Sequence, residues 1–246
     1  MARARLLLVP TLTDMEWVIK PLLEEWAEVA SYDAPGVGAE PPVPDFGAEA
    51  VARRGLAELD RLGWDGFVLV ADEFALPAAS RIAVAAQARL QGLAIGHARL
   101  SNSTDGPRPA INAEVLDAIR TVMRNDPRSF VRQMFRMTGG EELARGYGED
   151  MIDEYMRRVP LELGIPFYDT VAADGVGMAE RLTSVQVPRL LAQHKGCLMF
   201  TDESFQDAIA ALPDARTAAF TDKPSASPEF ATLLREFCEG LAPARV

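Results

Sequence analysis

The sequence predicts an α/β fold: a mostly parallel sheet covered by helices on both faces and interrupted by an inserted run of helices. Three observations carry this. Short strands alternate with helical stretches up to residue 103 and again from residue 183. The strands are apolar without alternation, as strands buried on both faces are. Between 104 and 182 the alternation gives way to helix after helix, so the core is read as 1–103 and 183–246 and the insertion as 104–182.

In order, ARLLLVPTL is a buried strand ended by Pro10, and MEWVIKPLLEEWA is a helix with Trp17, Leu22, Leu23 and Trp26 on one face and Pro21 near its first turn. EVASYDAPGVG is a second strand that ends at Asp33 in a Gly/Pro turn, and EPPVPDFG is a loop. Residues 48–62 form a helix with an Ala/Leu face, GFVLVAD is the third strand, residues 76–90 are an Ala-rich helix, and GLAIGHARL is the fourth strand. The insertion reads as INAEVLDAIRTVMR, DPRSFVRQMFRMT, GEDMIDEYMRRV and PLELGIPFYDTVAADGVGM, all helical. Gly139-Gly140 and Gly175/Gly177 read as turns between these helices rather than phosphate loops. VPRLLAQH and ARTAAFTD are the last strands, each followed by a helix, ESFQDAIAAL and SPEFATLLREFCEGL.

Composition narrows the function. Lys and Arg number 25 against 36 Asp and Glu, a net charge of −11. That argues against nucleic acid and anionic lipid, which need concentrated positive charge. The apolar run LLLVP is far shorter than a membrane span or a secretory signal, so a soluble cytoplasmic protein is expected. Two distant cysteines, Cys197 and Cys238, suggest no disulfide framework, and with only His97 and His194 no spacing resembles a metal site; no metal and no cofactor are expected.

The stretch FVLVADEFALPAA, a buried strand running through an acidic pair into a small apolar helix, resembles the nucleophile elbow of the α/β hydrolase superfamily. Ala71, Glu73 and Ala75 stand where G-x-S-x-G usually has Gly, Ser and Gly. LLLVPTLTDMEWVIKPLLEEWAEVASYDAPGVG resembles the family's opening, VPRLLAQHKGC its late acid-bearing strand, and ALPDARTAAFTDKPSASPEFATLLREF its last strand, catalytic loop and final helix. The insertion falls where the family carries its cap. The resemblance implies a hydrolase-like fold with a site at the elbow. It also implies a departure, because Glu73 replaces the nucleophile, Cys197 stands near the acid position with Asp202 a few residues on, and Phe220-Thr221-Asp222-Lys223-Pro224-Ser225 contains no histidine. A Ser-His-Asp relay needs both hydroxyl and imidazole, so ordinary serine esterase or lipase chemistry is not expected.

Three roles are open to Glu73: a carboxylate nucleophile, a general acid or base, or a polar residue facing a cleft that binds something or nothing. In the second role, burial and the neighbouring Asp72 are expected to raise its pKa toward neutrality. His97 and His194, both at C-terminal strand ends where ligands bind in open parallel sheets, are candidates to form a carboxylate–imidazole pair with it. The resemblance places an oxyanion hole at the amides of Phe74 and of Thr11-Leu12, with the hydroxyls of Thr11 and Thr13 nearby. The insertion is rich in Met and aromatic residues, most of them helix-packing positions; Tyr147 and Tyr155 could offer a hydroxyl to a ligand. An apolar small molecule is the expected partner.

Overall fold

The structure, a computed structural model, describes residues 3–38, 47–146 and 149–241, and gives the backbone alone for 137–146, 161–163 and 169–172. Tyr147, most of the EPPVPDFG loop and the Met137 side chain therefore lie outside the described residues.

In chain order the elements are β1 (Ala4–Val9), α1 (Lys20–Glu24), β2 (Ala27–Ser31), α2 (Ala48–Leu62), β3 (Phe67–Asp72), α3 (Leu76–Ala85) and β4 (Leu90–Gly96). Then come α4 (Ala113–Asn125), α5 (Pro127–Gly146), α6 (Glu149–Arg158), α7 (Leu161–Asp174) and α8 (Met178–Ser184). The chain closes with β5 (Arg189–His194), α9 (Asp202–Ala211), β6 (Arg216–Phe220) and α10 (Pro228–Glu239). The strands form one parallel sheet in the order β2-β1-β3-β4-β5-β6. Among the described residues, no helix is long and apolar enough to cross a membrane.

The unbroken apolar runs of the central strands follow from their burial on both faces. Successive side chains alternate across the sheet. Leu7, Val9, Leu69, Ala71 and Leu191 join the core that includes residues of α2, α3 and the inserted helices, while Leu6, Leu8, Val68, Val70 and Leu190 join a second core with Phe230, Leu234 and Phe237 of α10. All six residues of β3 are buried, whereas β6 at the sheet edge keeps most of its side chains outside.

The local differences from expectation have physical causes. The Trp-bearing helix breaks into a 3-10 turn at Asp14–Glu16 and the short α1, with Pro21 in the first turn of α1, where its missing N–H is harmless. The helix expected over 76–90 stops at Ala85, and Arg89 and Leu90 bond back to Ala86 as the chain turns into β4. The turn expected at Gly139-Gly140 is helical, within α5. Each glycine costs a helix about 1 kcal/mol, and the helix continues through both. The entry to α4 is fixed by Asn112, whose side-chain oxygen accepts from the amides of Glu114 and Val115. Asn112→Ala is expected to lose about 1 kcal/mol of stability, measured by urea unfolding.

The sheet order changes direction between β1 and β3: the chain leaves β1 for one side of the sheet and returns in β3 on the other. At such a switch point the loops after adjacent strands part and leave a crevice. Glu73 follows β3 and Thr11-Leu12 follows β1, so the topology places both at that crevice.

Candidate functional site

Asp72 ends β3 with extended backbone (φ −132°, ψ 142°), and Glu73 then takes a left-handed φ of 43° before a 3-10 turn leads into α3. That conformation costs a non-glycine residue free energy and persists only where surrounding bonds hold it. Here the Glu73 carbonyl accepts from Nη1 of Arg99 at 2.8 Å. Arg99 is fully buried, donates through Nε to Asn102 Oδ1 at 2.8 Å, and lies over the Phe200 ring at 4.2 Å.

The Glu73 side chain turns inward. Its Oε2 is 2.9 Å from Nζ of Lys223, and its Oε1 is 3.7 Å from Nδ1 of His194. Lys223 comes from the loop after β6, in the stretch the sequence singled out for lacking histidine. The same loop is tied down a second time: the Ser225 amide donates to Asp72 Oδ2 at 3.0 Å, while Asp72 Oδ1 is buried without a partner. The acidic pair at the elbow thus seats two residues of one loop.

This geometry overturns the expected rise in the Glu73 pKa. Burial pushes it up, but the Lys223 ammonium, with His194, outweighs burial and holds the carboxyl well below the usual carboxylate range. Asp72 is the residue that goes up, chiefly through burial and further through the charge of Glu73, against the opposing pull of Lys223. Lys223 is held above its ordinary range by Glu73, Asp72 and Glu16 despite its burial. Burial alone would lower His194; Cys197 and Glu73 beside it push it up to about 10. His97 lies at the other extreme, pushed down to about 4 chiefly by burial. At neutral pH the site therefore holds an ionised Glu73, protonated Lys223 and His194, and a neutral His97.

The remaining residues singled out in the sequence divide. The Thr11 and Leu12 amides are within the site but accepted by the Glu16 carboxylate, at 2.9 and 3.2 Å. Thr13 is turned away: its hydroxyl donates to Asp33 Oδ1 at 2.9 Å, where Asp33 also receives Arg158. Phe74 packs edge-on against Phe167 and Tyr168 of α7 and tilts onto Phe200, closing the elbow under the inserted helices. Tyr155 is buried against Phe135. Two small cavities adjoin these residues. One, of about 30 Å³, is lined by Leu12, Met123, Phe130, Tyr155 and Tyr168; the other, of about 10 Å³, by Thr11, Phe74 and Phe167. Each has room for about one water, and Glu73 lines neither.

Lys223, Glu16 and Arg99 escaped the sequence reading. Lys223 had a signal, since it is the one cation in the loop where the superfamily places its histidine. Glu16 and Arg99 had none, because a buried charge is recognisable only once its partners are in place.

The parallel sheet, the elbow after β3 and the helices between β4 and β5 together define an α/β hydrolase fold. Solved structures similar to this chain include a bromoperoxidase from Bacillus anthracis, with a TM-score of 0.79 at 16% identity over 97% of this chain and 92% of that one. The esterase RhEst1 from Rhodococcus sp. ECU1013 gives 0.77 at 14% over 98% and 92%, and the enol-lactonase from Burkholderia xenovorans LB400 gives 0.71 at 14% over 97% and 92%. At these identities the likeness is one of fold. No family model matches the sequence, and no curated protein matches it.

Proposed function

We propose that this chain is a hydrolase-like enzyme acting on an apolar small molecule by a route that needs no seryl nucleophile, with residues 104–182 serving as a cap over a core of 1–103 and 183–246. The single observation that carries the reading is Glu73 itself: a carboxylate in left-handed backbone at the strand–helix elbow, half-buried between Lys223 and His194. Strained backbone and buried, mutually compensated charges both cost free energy and cluster at functional sites. In this reading Glu73 works as the anion. Held ionised by Lys223, it orients the protonated His194, which is the group able to give up a proton to a bound substrate. The neighbours' names, those of an esterase, a lactonase and a bromoperoxidase, favour small-molecule chemistry for this chain too.

A second reading, a non-catalytic binding or regulatory protein, is favoured by one observation. The elbow is filled: Glu16 occupies the Thr11 and Leu12 amides, Phe74 is packed under α7, and the adjoining cavities are water-sized.

One experiment separates the two. Esters, lactones and epoxides are screened for turnover, and the same compounds with lipophilic alcohols and amines for thermal stabilisation, in wild type and Glu73→Gln. The expected result is turnover of at least one compound, reduced at least tenfold in the folded variant, with no labelling by a fluorophosphonate. Stabilising compounds without any turnover would leave the binding reading. Fluorophosphonate labelling would show a serine nucleophile and defeat the proposal.

A further inference from the structure

Behind the elbow, residues from two strand ends converge; one of them, His194, is also the proton donor of the proposed Glu73 chemistry, so an ion held there and a protonated His194 exclude each other. His97, one residue past β4, is fully buried, and neither ring nitrogen has a hydrogen-bond partner. His194 ends β5, and Cys197 follows in the next turn, with its amide bonded to the His194 carbonyl. One ligand atom from each of His97, His194 and Cys197 falls within 4.8 Å of the others. His97 is held in left-handed backbone (φ 44°), which turns the chain sharply at the end of β4, and its ring packs against Phe200 at 4.9 Å.

We propose that His97, His194 and Cys197 form a binding site for a borderline-soft divalent cation of the Zn²⁺ type. The donor set is the first argument. Two imidazoles and a thiolate suit zinc and its transition-metal neighbours, and reject Mg²⁺ and Ca²⁺, which take oxygen ligands. The second argument is the imidazole of His97. A buried ring nitrogen left without a partner costs roughly 1–3 kcal/mol, and a metal ion satisfies that nitrogen. The third is the setting. Glu73 Oε1 lies 3.7 Å from His194 Nδ1, beyond hydrogen-bond length but close enough that a small shift would let it back a metal-bound histidine as carboxylates commonly do. Cys197 is partly exposed, which gives the ion a way in.

The fit requires modest movement. Tetrahedral zinc with bonds of about 2.0 Å to nitrogen and 2.3 Å to sulfur sets its ligand atoms about 3.5 Å apart, and here all three lie within 4.8 Å of one another. Rotation of the Cys197 and His194 side chains supplies the contraction, as both are only partly buried. Arg99 is the nearby cation that opposes the ion; the thiolate, Glu73 and Asp202 are the groups that offset it. Three protein ligands leave a fourth position on the ion for water or another small ligand.

The test uses the full chain stripped with a chelator. Zn²⁺ binding is measured by equilibrium dialysis, and Co²⁺ binding by absorption, where a thiolate-to-cobalt charge-transfer band reports the sulfur ligand. The expected result is one ion per chain with that band present. Cys197→Ser should lose the band and bind Zn²⁺ at least tenfold more weakly, a floor set by what even outer-shell changes do, and His97→Ala should weaken it as far. Cys238→Ser, which alters the other cysteine, should leave both readouts unchanged. Because His97→Ala removes a core side chain and could fail to fold, Cys197→Ser decides the matter alone. Wild-type protein that takes up no stoichiometric Zn²⁺, or a Cys197→Ser variant that binds as well as wild type, overturns the site.

Discussion

Replacing Lys223 by methionine is expected to destabilise the fold by roughly 3–5 kcal/mol, the usual cost of removing one partner from a buried ion pair. Methionine keeps most of the volume, so the loss is electrostatic rather than a cavity. Glu73 and Asp72 would then sit buried beside each other with their shared cation gone. The sign of the pH effect follows. In wild type, Lys223 keeps Glu73 below its unfolded pKa, so its ionisation stabilises the fold above the unfolded value and that contribution is lost as pH falls. In the variant, burial dominates and raises the carboxyl pKa above the unfolded value. Folding then favours the protonated acids, and that advantage disappears as pH rises. The deficit of Lys223→Met relative to wild type should therefore be larger at pH 8 than at pH 5. Adding Glu73→Gln should recover part of it, since the double variant no longer buries an unpaired charge at that position. Urea unfolding of the four proteins of this cycle at both pH values is the measurement. A Lys223→Met variant within 1 kcal/mol of wild type at both would show the pair to be solvated and the elbow open.

Gly96→Ala is expected to cost roughly 2–3 kcal/mol, the upper part of the range for overpacking a tight core. A β-carbon at Gly96 would sit 2.3 Å from Asp72 Oδ1 and 2.9 Å from the Pro224 β-carbon. Neither neighbour is a free chain end. Asp72 is fixed by the Ser225 amide, and Pro224 belongs to the loop that carries Lys223. The methyl group must therefore displace the loop that holds Glu73, and the strain should appear as lost stability. Asp72→Ala vacates the space, so the double variant should be less destabilised than the sum of the two single ones. Additive losses would mean that Gly96 accommodates the methyl group by another route.

The fold was legible because it rests on local patterning. FVLVAD is apolar at every position because β3 is covered on both sides by neighbours and helices, and a run of that kind between turn residues has few other homes. The helices between β4 and β5 were legible for the same reason, as a stretch where apolar spacing changes from strand-like to helical. Boundaries suffered where two local rules met, as at Pro21 and Gly139-Gly140, because the hydrogen-bond ladder can absorb a proline in a first turn and continue through a pair of glycines.

The site was legible only in outline. Sequence order placed Glu73 after the third strand and both histidines at strand ends, and strand order alone brings those ends to one edge. It did not reveal that Glu73 would meet a lysine in addition to Asp72 and a histidine, and so the rise expected from burial and Asp72 was misjudged. By itself the sequence determined the parallel sheet, the elbow and the chemical types available at it, since these follow from the period and composition of short segments. Only the tertiary structure decided which charges face each other. Lys223 and Glu73 are 150 residues apart in the chain and 2.9 Å apart in space, and Coulomb energy depends on the second distance alone.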